Sequence, residues 1–143
     1  MKKTFGLLIL CAVALVAADN PFVGTWKLNV AKSKFSPGPP PQSQTVTIGA
    51  DNKVEVSETD GKGQMVNWSY TATPGTATIT GMPDASVVET RKGNTVDHAW
   101  KIGKATQKGH GVISKDGKTM IYTLKGTDAD GKKVSHRSVF EKQ

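Results

Sequence analysis

Three histidines, His98, His110 and His136, are the side chains of this sequence best placed to exchange protons near neutral pH. His98 lies in an alternating run with Val96, Trp100 and Ile102, which puts an imidazole and an indole on one face of an extended segment. On an apolar inner face such a histidine orients a ligand, acts as a general base, or is a satisfied structural residue. The residues leave all three open, with His98 the candidate catalytic group. His110 stands between Gly109 and Gly111, and His136 stands beside Arg137. Spacing does not fix which way either faces. A zinc site would need all three histidines from adjacent strands, and no short-range ligand spacing supports one, so no metal or other cofactor is assigned. Trp68, Tyr70, Trp100 and Tyr122 offer apolar surface with two hydroxyl handles. With His98 they form the candidate ligand-binding set, suited to a flat or elongated apolar molecule. The alternative is that these rings simply fill a small barrel. Glu58 and Glu89 are acids able to pair with an inward histidine, although spacing does not require it.

Other apparent motifs fail on their own chemistry. Gly111 to Thr119 ends like a phosphate loop, but five residues separate Gly111 from Gly117 and a strand follows where a helix is needed. Asp128-Ala129-Asp130-Gly131 opens like a calcium loop, yet Lys132 and Lys133 follow and the later acidic ligands are missing. It reads as a hairpin turn. There is no nucleophile elbow and no metalloprotease helix.

The elements that must position these side chains are strands. Phe22 to Leu28 alternates, with Phe22, Gly24, Trp26 and Leu28 on one face. Lys32 to Pro41 is a loop whose prolines remove backbone donors, an extended span able to cross one end of a barrel. Gln44/Val46/Ile48, Val54/Val56, Met65 to Thr71, Thr76 to Thr80, Ser86 to Arg91, Val96 to Ile102, Thr106 to Ser114, Met120 to Leu124 and a last strand from Lys132 follow. Turn signals separate them, including Asp60-Gly61, Gly93-Asn94 and Asp116-Gly117. No helical period competes beyond the N-terminal segment. The pattern predicts an all-β, antiparallel up-and-down barrel of eight to ten strands, with a two-sheet sandwich as the alternative.

Residues 1–18 read as a cleaved signal peptide. Lys2 and Lys3 precede an apolar run from Phe5 to Val16, and small residues Ala17 and Ala18 lead to Asp19. The run is short for a transmembrane helix, and Cys11 within it follows bulky Leu10, unlike a lipidation site. The expected product, residues 19–143, is one domain, exported to the periplasm or beyond, without stable membrane insertion. It carries no cysteine, which excludes disulfides and thiol chemistry from it. Its Lys+Arg count drops from 19 to 17 against 12 acids, and its net charge from +7 to +5. The surplus is dispersed and lacks the basic stripe with stacking aromatics that nucleic-acid binding demands. Neither oligomeric state nor partner protein is legible.

Gly24-Thr25-Trp26 near the start of the mature chain resembles the glycine-x-tryptophan signature of lipocalins and their calycin relatives. Arg137 in the final strand matches the position of the arginine that packs on that tryptophan in those proteins. Phe22 to Asn29, Lys32 to Gly38, Val112 to Thr119 and Val139 to Gln143 are similar to segments of small secreted bacterial lipocalin-like proteins. The resemblance implies a barrel of fatty-acid-binding size, sealed by Gly24, Trp26 and Arg137, holding a small hydrophobic or amphipathic ligand. The chain departs from the pattern in its proline-rich loop, which stands in place of a helical lid. It also lacks a helix after the barrel and a mappable arginine–tyrosine carboxylate clamp, so ligand identity does not transfer.

Overall fold

The computed structural model describes residues 19–143, and the expected signal peptide lies outside the described residues. Eleven strands form one sheet: β1 (Gly24–Leu28), β2 (Lys34–Ser36), β3 (Ser43–Ile48), β4 (Lys53–Thr59), β5 (Met65–Thr71), β6 (Thr76–Thr78), β7 (Ala85–Lys92), β8 (Thr95–Ile102), β9 (Ala105–Ile113), β10 (Thr119–Thr127) and β11 (Lys133–Lys142). Paired neighbours run β5-β4-β3-β1-β11-β10-β9-β8-β7-β6, with β2 set against β11. Every ladder is antiparallel. First and last strands meet, Trp26 opposite Lys142 and Leu28 opposite Phe140. The remaining seam is narrow. Ser69 on β5 and Thr80 just past β6 exchange two backbone hydrogen bonds of 3.0 and 2.8 Å, leaving the barrel nearly closed. One continuous curved sheet replaces the sandwich alternative.

The count exceeds eight to ten because the stretch read as a loop contains β2. Asn29 caps a single 3-10 turn (Val30–Lys32), after which the chain continues as β2 along the same edge of β11 that β1 pairs with. There Ser33 donates and accepts, its hydroxyl bonding Asn29 O and taking the Val139 N–H. This packing buries Val139 on the outer side of β11.

Alternation assigns the faces. Val54 and Val56, Val87 and Glu89, Val96 and His98, Met120 and Tyr122, Ser138 and Phe140 all point inward, around a core that includes Phe22, Trp26 and Ile113. Where β1 begins and β11 finishes, the barrel is plugged. Trp26 is 0% exposed and Phe22 1%, and the Trp26 indole N–H donates to Phe22 O at 2.9 Å. At the far end, Pro37, Pro39 and Pro41 line the interior. The span is held by Ser36 N–H donating to His136 Nδ1 at 3.2 Å and Gln42 N–H donating to Thr59 O at 2.8 Å. It crosses one mouth, as the prolines suggested.

One expectation is overturned here. Arg137 does not pack on Trp26. Counting along β11 from inward-facing Ser138 and Phe140, Arg137 points outward; it is exposed, and its guanidinium reaches Lys32 O at 3.5 Å. The cation over the indole is Lys142, with Nζ 5.3 Å from the ring centroid. Register explains the exchange, since Trp26 lies opposite Lys142 and Arg137 opposite Lys34 and Thr123. Gly24 holds a positive φ of 137°, and a Cβ there would come within 2.7 Å of Lys142 Cε. The glycine thus clears the way for the lysine stem to reach Trp26.

Candidate functional site

The two-residue turn at Gly93-Asn94 sets β7 against β8 so that Glu89 stands directly opposite His98, and Arg91 opposite Val96. All four face inward. Glu89 is the organising group, its side chain only 3% exposed. Its Oε2 accepts from Tyr70 at 2.5 Å and lies 3.0 Å from His98 Nε2. Its Oε1 meets Arg91 Nε in a close ion pair rather than a well-aligned hydrogen bond. The Arg91 guanidinium also lies over the Phe22 ring, 5.5 Å from its centroid, and reaches Asn52 Oδ1 at 3.5 Å.

Tyr122 completes the constellation from two strands away. It sits on β10, opposite Gly111 on β9, while His98 on β8 lies opposite Gly109. A side chain at position 109 would block the route between them. A Cβ built on Gly109 overlaps the Tyr122 hydroxyl and Cζ and comes to 3.1 Å of Cε2; one on Gly111 comes to 2.8 Å of Val96 Cγ1. With both positions bare, the phenol lies across β9 and its hydroxyl reaches His98 Nδ1 at 3.1 Å. Trp100 Nε1 donates to the same hydroxyl at 2.9 Å. The Trp100 ring stacks on His98 at 5.0 Å, and its other contacts are edge-on with Trp68 at 5.6 Å and Tyr70 at 5.8 Å.

Tyr70 gives its hydrogen to Glu89 Oε2. Assigning His98 as the neutral Nε2–H tautomer gives that oxygen a second donor and leaves Nδ1 to accept from Tyr122. Burial opposes ionisation of Glu89, but hydrogen bonds from His98 and Tyr70, with the charge of Arg91, outweigh it and hold the carboxyl at about 2. Burial foremost, then the Glu89 charge, pushes the Tyr70 phenol well above its usual range. Burial pushes Tyr122 up too, against the hydrogen bond from Trp100. At neutral pH the cluster therefore holds a carboxylate and two neutral phenols.

These groups line a cavity of about 390 Å³ that runs to the proline-crossed mouth. Small-molecule sites span roughly 300–1,000 Å³. Val46, Ile48, Val56, Trp68, Ile102, Met120, Leu124 and Phe140 give most of the wall. Glu58 and His136 lie toward the mouth. Burial, with the nearby charge of Asp60, pushes the Glu58 carboxyl up against the hydrogen bond from Gln44, and burial lowers His136.

The structure brings Trp68, Tyr70, His98, Trp100 and Tyr122 to this one cavity. It leaves His110 on the outside, 2.7 Å from Asp97 and exposed. No group of three or more metal-ligating side chains converges among the described residues. Glu89 stood in the sequence as one of two acids without a fixed partner, and counting outward from Gly93-Asn94 pairs it with His98. Arg91 lies two residues further along the same face, with no signal of its own in the sequence. The signal for Tyr122 is Gly109 and Gly111 on either side of His110, since alternate glycines on an inward face leave room for a ring from the next strand. Comparison of the chain with protein-family models, with curated proteins and with solved structures finds no match.

Proposed function

We propose that this chain is an exported, lipocalin-like barrel of the calycin type that holds a small hydrophobic or amphipathic molecule in its interior, in the periplasm or outside the cell. The observation that carries this is the 390 Å³ cavity, walled by aliphatic and aromatic side chains with one compact polar cluster at its inner end. An unfilled interior favours a binding role over a packed barrel acting through its surface. Glu89 and Arg91 balance each other's charge within the cluster, so the site has no need of a charged cargo. Native mass spectrometry of protein purified from its own host tests this. A co-purifying small molecule of fixed mass is expected, and apo-protein alone from every preparation would count against the proposal.

The 3.0 Å contact between Glu89 and His98 supports a second reading, a barrel enzyme with His98 as general base. Both imidazole nitrogens are engaged, so a proton would have to pass through the Tyr122 hydroxyl to Nδ1, with Glu89 orienting the ring. Release of a chemically altered molecule from loaded protein, abolished in His98→Gln while binding persists, would favour catalysis. Unchanged ligand recovered from both proteins favours simple binding.

A further inference from the structure

The charges around the cavity carry a statement about its ligand. Arg91 is the one arginine or lysine among the described residues that line it. A free arginine there would be the natural partner of a carboxylate head group. Arg91 is not free: Glu89 occupies its Nε, Asn52 approaches Nη1, and Phe22 covers its plane. Glu58 and Asp60 face the same space near the mouth. The protein as a whole is basic, with 19 Lys+Arg against 12 acids, yet its interior holds no unpaired cation among those residues. An entering anion would lose its hydration without gaining a counter-ion.

The hydrogen bonds narrow the chemistry further. With His98 in the neutral Nε2–H tautomer, Tyr70 O–H and His98 Nε2–H are spent on Glu89, Tyr122 O–H on His98 Nδ1, and Trp100 N–H on Tyr122. With these four donors engaged, what the ring side of the cluster keeps open is acceptor capacity, above all the second lone pair of the Tyr122 oxygen.

Resting on the binding role proposed above, we infer that the cavity selects an uncharged amphiphile with a hydrogen-bond-donating head group, such as an alcohol, and rejects the carboxylate of the same chain. The Glu89–Arg91 pair is the specificity determinant. It cancels the charge that would otherwise attract a fatty acid.

The test compares decanol with decanoate, titrated at neutral pH into wild-type protein and Glu89→Gln, and followed by tryptophan fluorescence and calorimetry. Wild type is expected to bind decanol at least about tenfold more tightly than decanoate, the penalty for desolvating an uncompensated carboxylate being no smaller than that. Glu89→Gln releases Arg91 and should strengthen decanoate binding by about tenfold or more while moving decanol far less. Decanoate bound by wild type as tightly as decanol overturns the inference while leaving the binding role intact. So does a Glu89→Gln protein that folds and keeps the wild-type preference. Should that variant fail to fold, the wild-type ratio decides, with Glu58→Gln as a second variant expected to leave decanol favoured. Absence of saturable binding by either probe overturns the binding role and the inference with it.

Discussion

Gly109→Ala is the sharpest perturbation the site allows, because it adds one methyl group in the path of Tyr122. The new Cβ would overlap the phenol hydroxyl and Cζ, so the ring must leave or the strand must move. Strand β9 is laddered on both sides by β8 and β10, and the ring is the freer party. Its departure breaks the hydrogen bonds from Trp100 and to His98, 2.9 and 3.1 Å long. Each loss costs about 1 kcal/mol if water from the cavity replaces the partner and about 1–3 kcal/mol if it does not. Lost packing of a half-buried ring adds about 1 kcal/mol. A destabilisation of about 3–7 kcal/mol follows, or roughly 10–25 °C in Tm for a domain of this size. The assay is urea and thermal unfolding by far-UV circular dichroism of wild type, Gly109→Ala, Tyr122→Ala and the double variant. Once Tyr122 is gone the added methyl meets no ring, so the second substitution should cost less than about 1 kcal/mol and the cycle should show coupling of about 2 kcal/mol or more. A Gly109→Ala protein within about 0.5 kcal/mol of wild type, or a purely additive cycle, would refute the route assigned to Tyr122.

Three further outcomes are expected. The Glu89 carboxyl sits at about 2 in the folded protein against an ordinary 4.5, so its stabilising contribution is complete above pH 4.5 and disappears as pH falls toward 2. Tm measured across that interval should fall less steeply in Glu89→Gln than in wild type, and parallel profiles would contradict the assignment. Arg137→Ala should change stability by less than about 0.5 kcal/mol, since the side chain is exposed on the outer face, whereas Trp26→Ala should cost about 3–5 kcal/mol; comparable losses in urea unfolding would restore the arginine to the seal. In Gly61→Ala the new Cβ comes to 2.5 Å of Pro39 Cγ and 2.9 Å of Pro40 O, lifting the proline span from the β4–β5 turn. Amide exchange at Gln42, whose N–H donates to Thr59 O, should accelerate, and an unchanged rate would show that the span is held elsewhere.

The strand pattern was legible because each strand keeps a period of two and ends at a turn whose residues announce it. The runs containing Trp68, Tyr70, His98, Trp100 and Tyr122 are legible for that reason, and so is the inward direction of all five side chains. Contacts between strands distant in sequence were not. Tyr70 reaches Glu89 across the narrow seam past β6, and nothing local in either strand encodes how far that seam closes. Arg137 shows the same limit from the other side. It lies in the expected strand next to the expected partner strand, yet a shift of one residue moves a side chain to the opposite face, and alternation alone does not set that register. Glu89–His98 is the intermediate case, since its pairing is local to one hairpin and needs only the turn at Gly93-Asn94 as origin. β2 is not legible because three residues between a 3-10 turn and a proline tract carry too little pattern to mark a strand.

The claim on which the rest depends is that the interior space admits a molecule. Saturation of wild-type protein with Nile red, beside Val46→Trp, which places an indole into that space from β3, measures this directly. The expected result is one bound dye per wild-type chain with a blue-shifted emission, and little or no binding by a Val46→Trp protein that unfolds as cooperatively as wild type. Equal binding by the two proteins would place the dye on the outer surface and contradict an interior site.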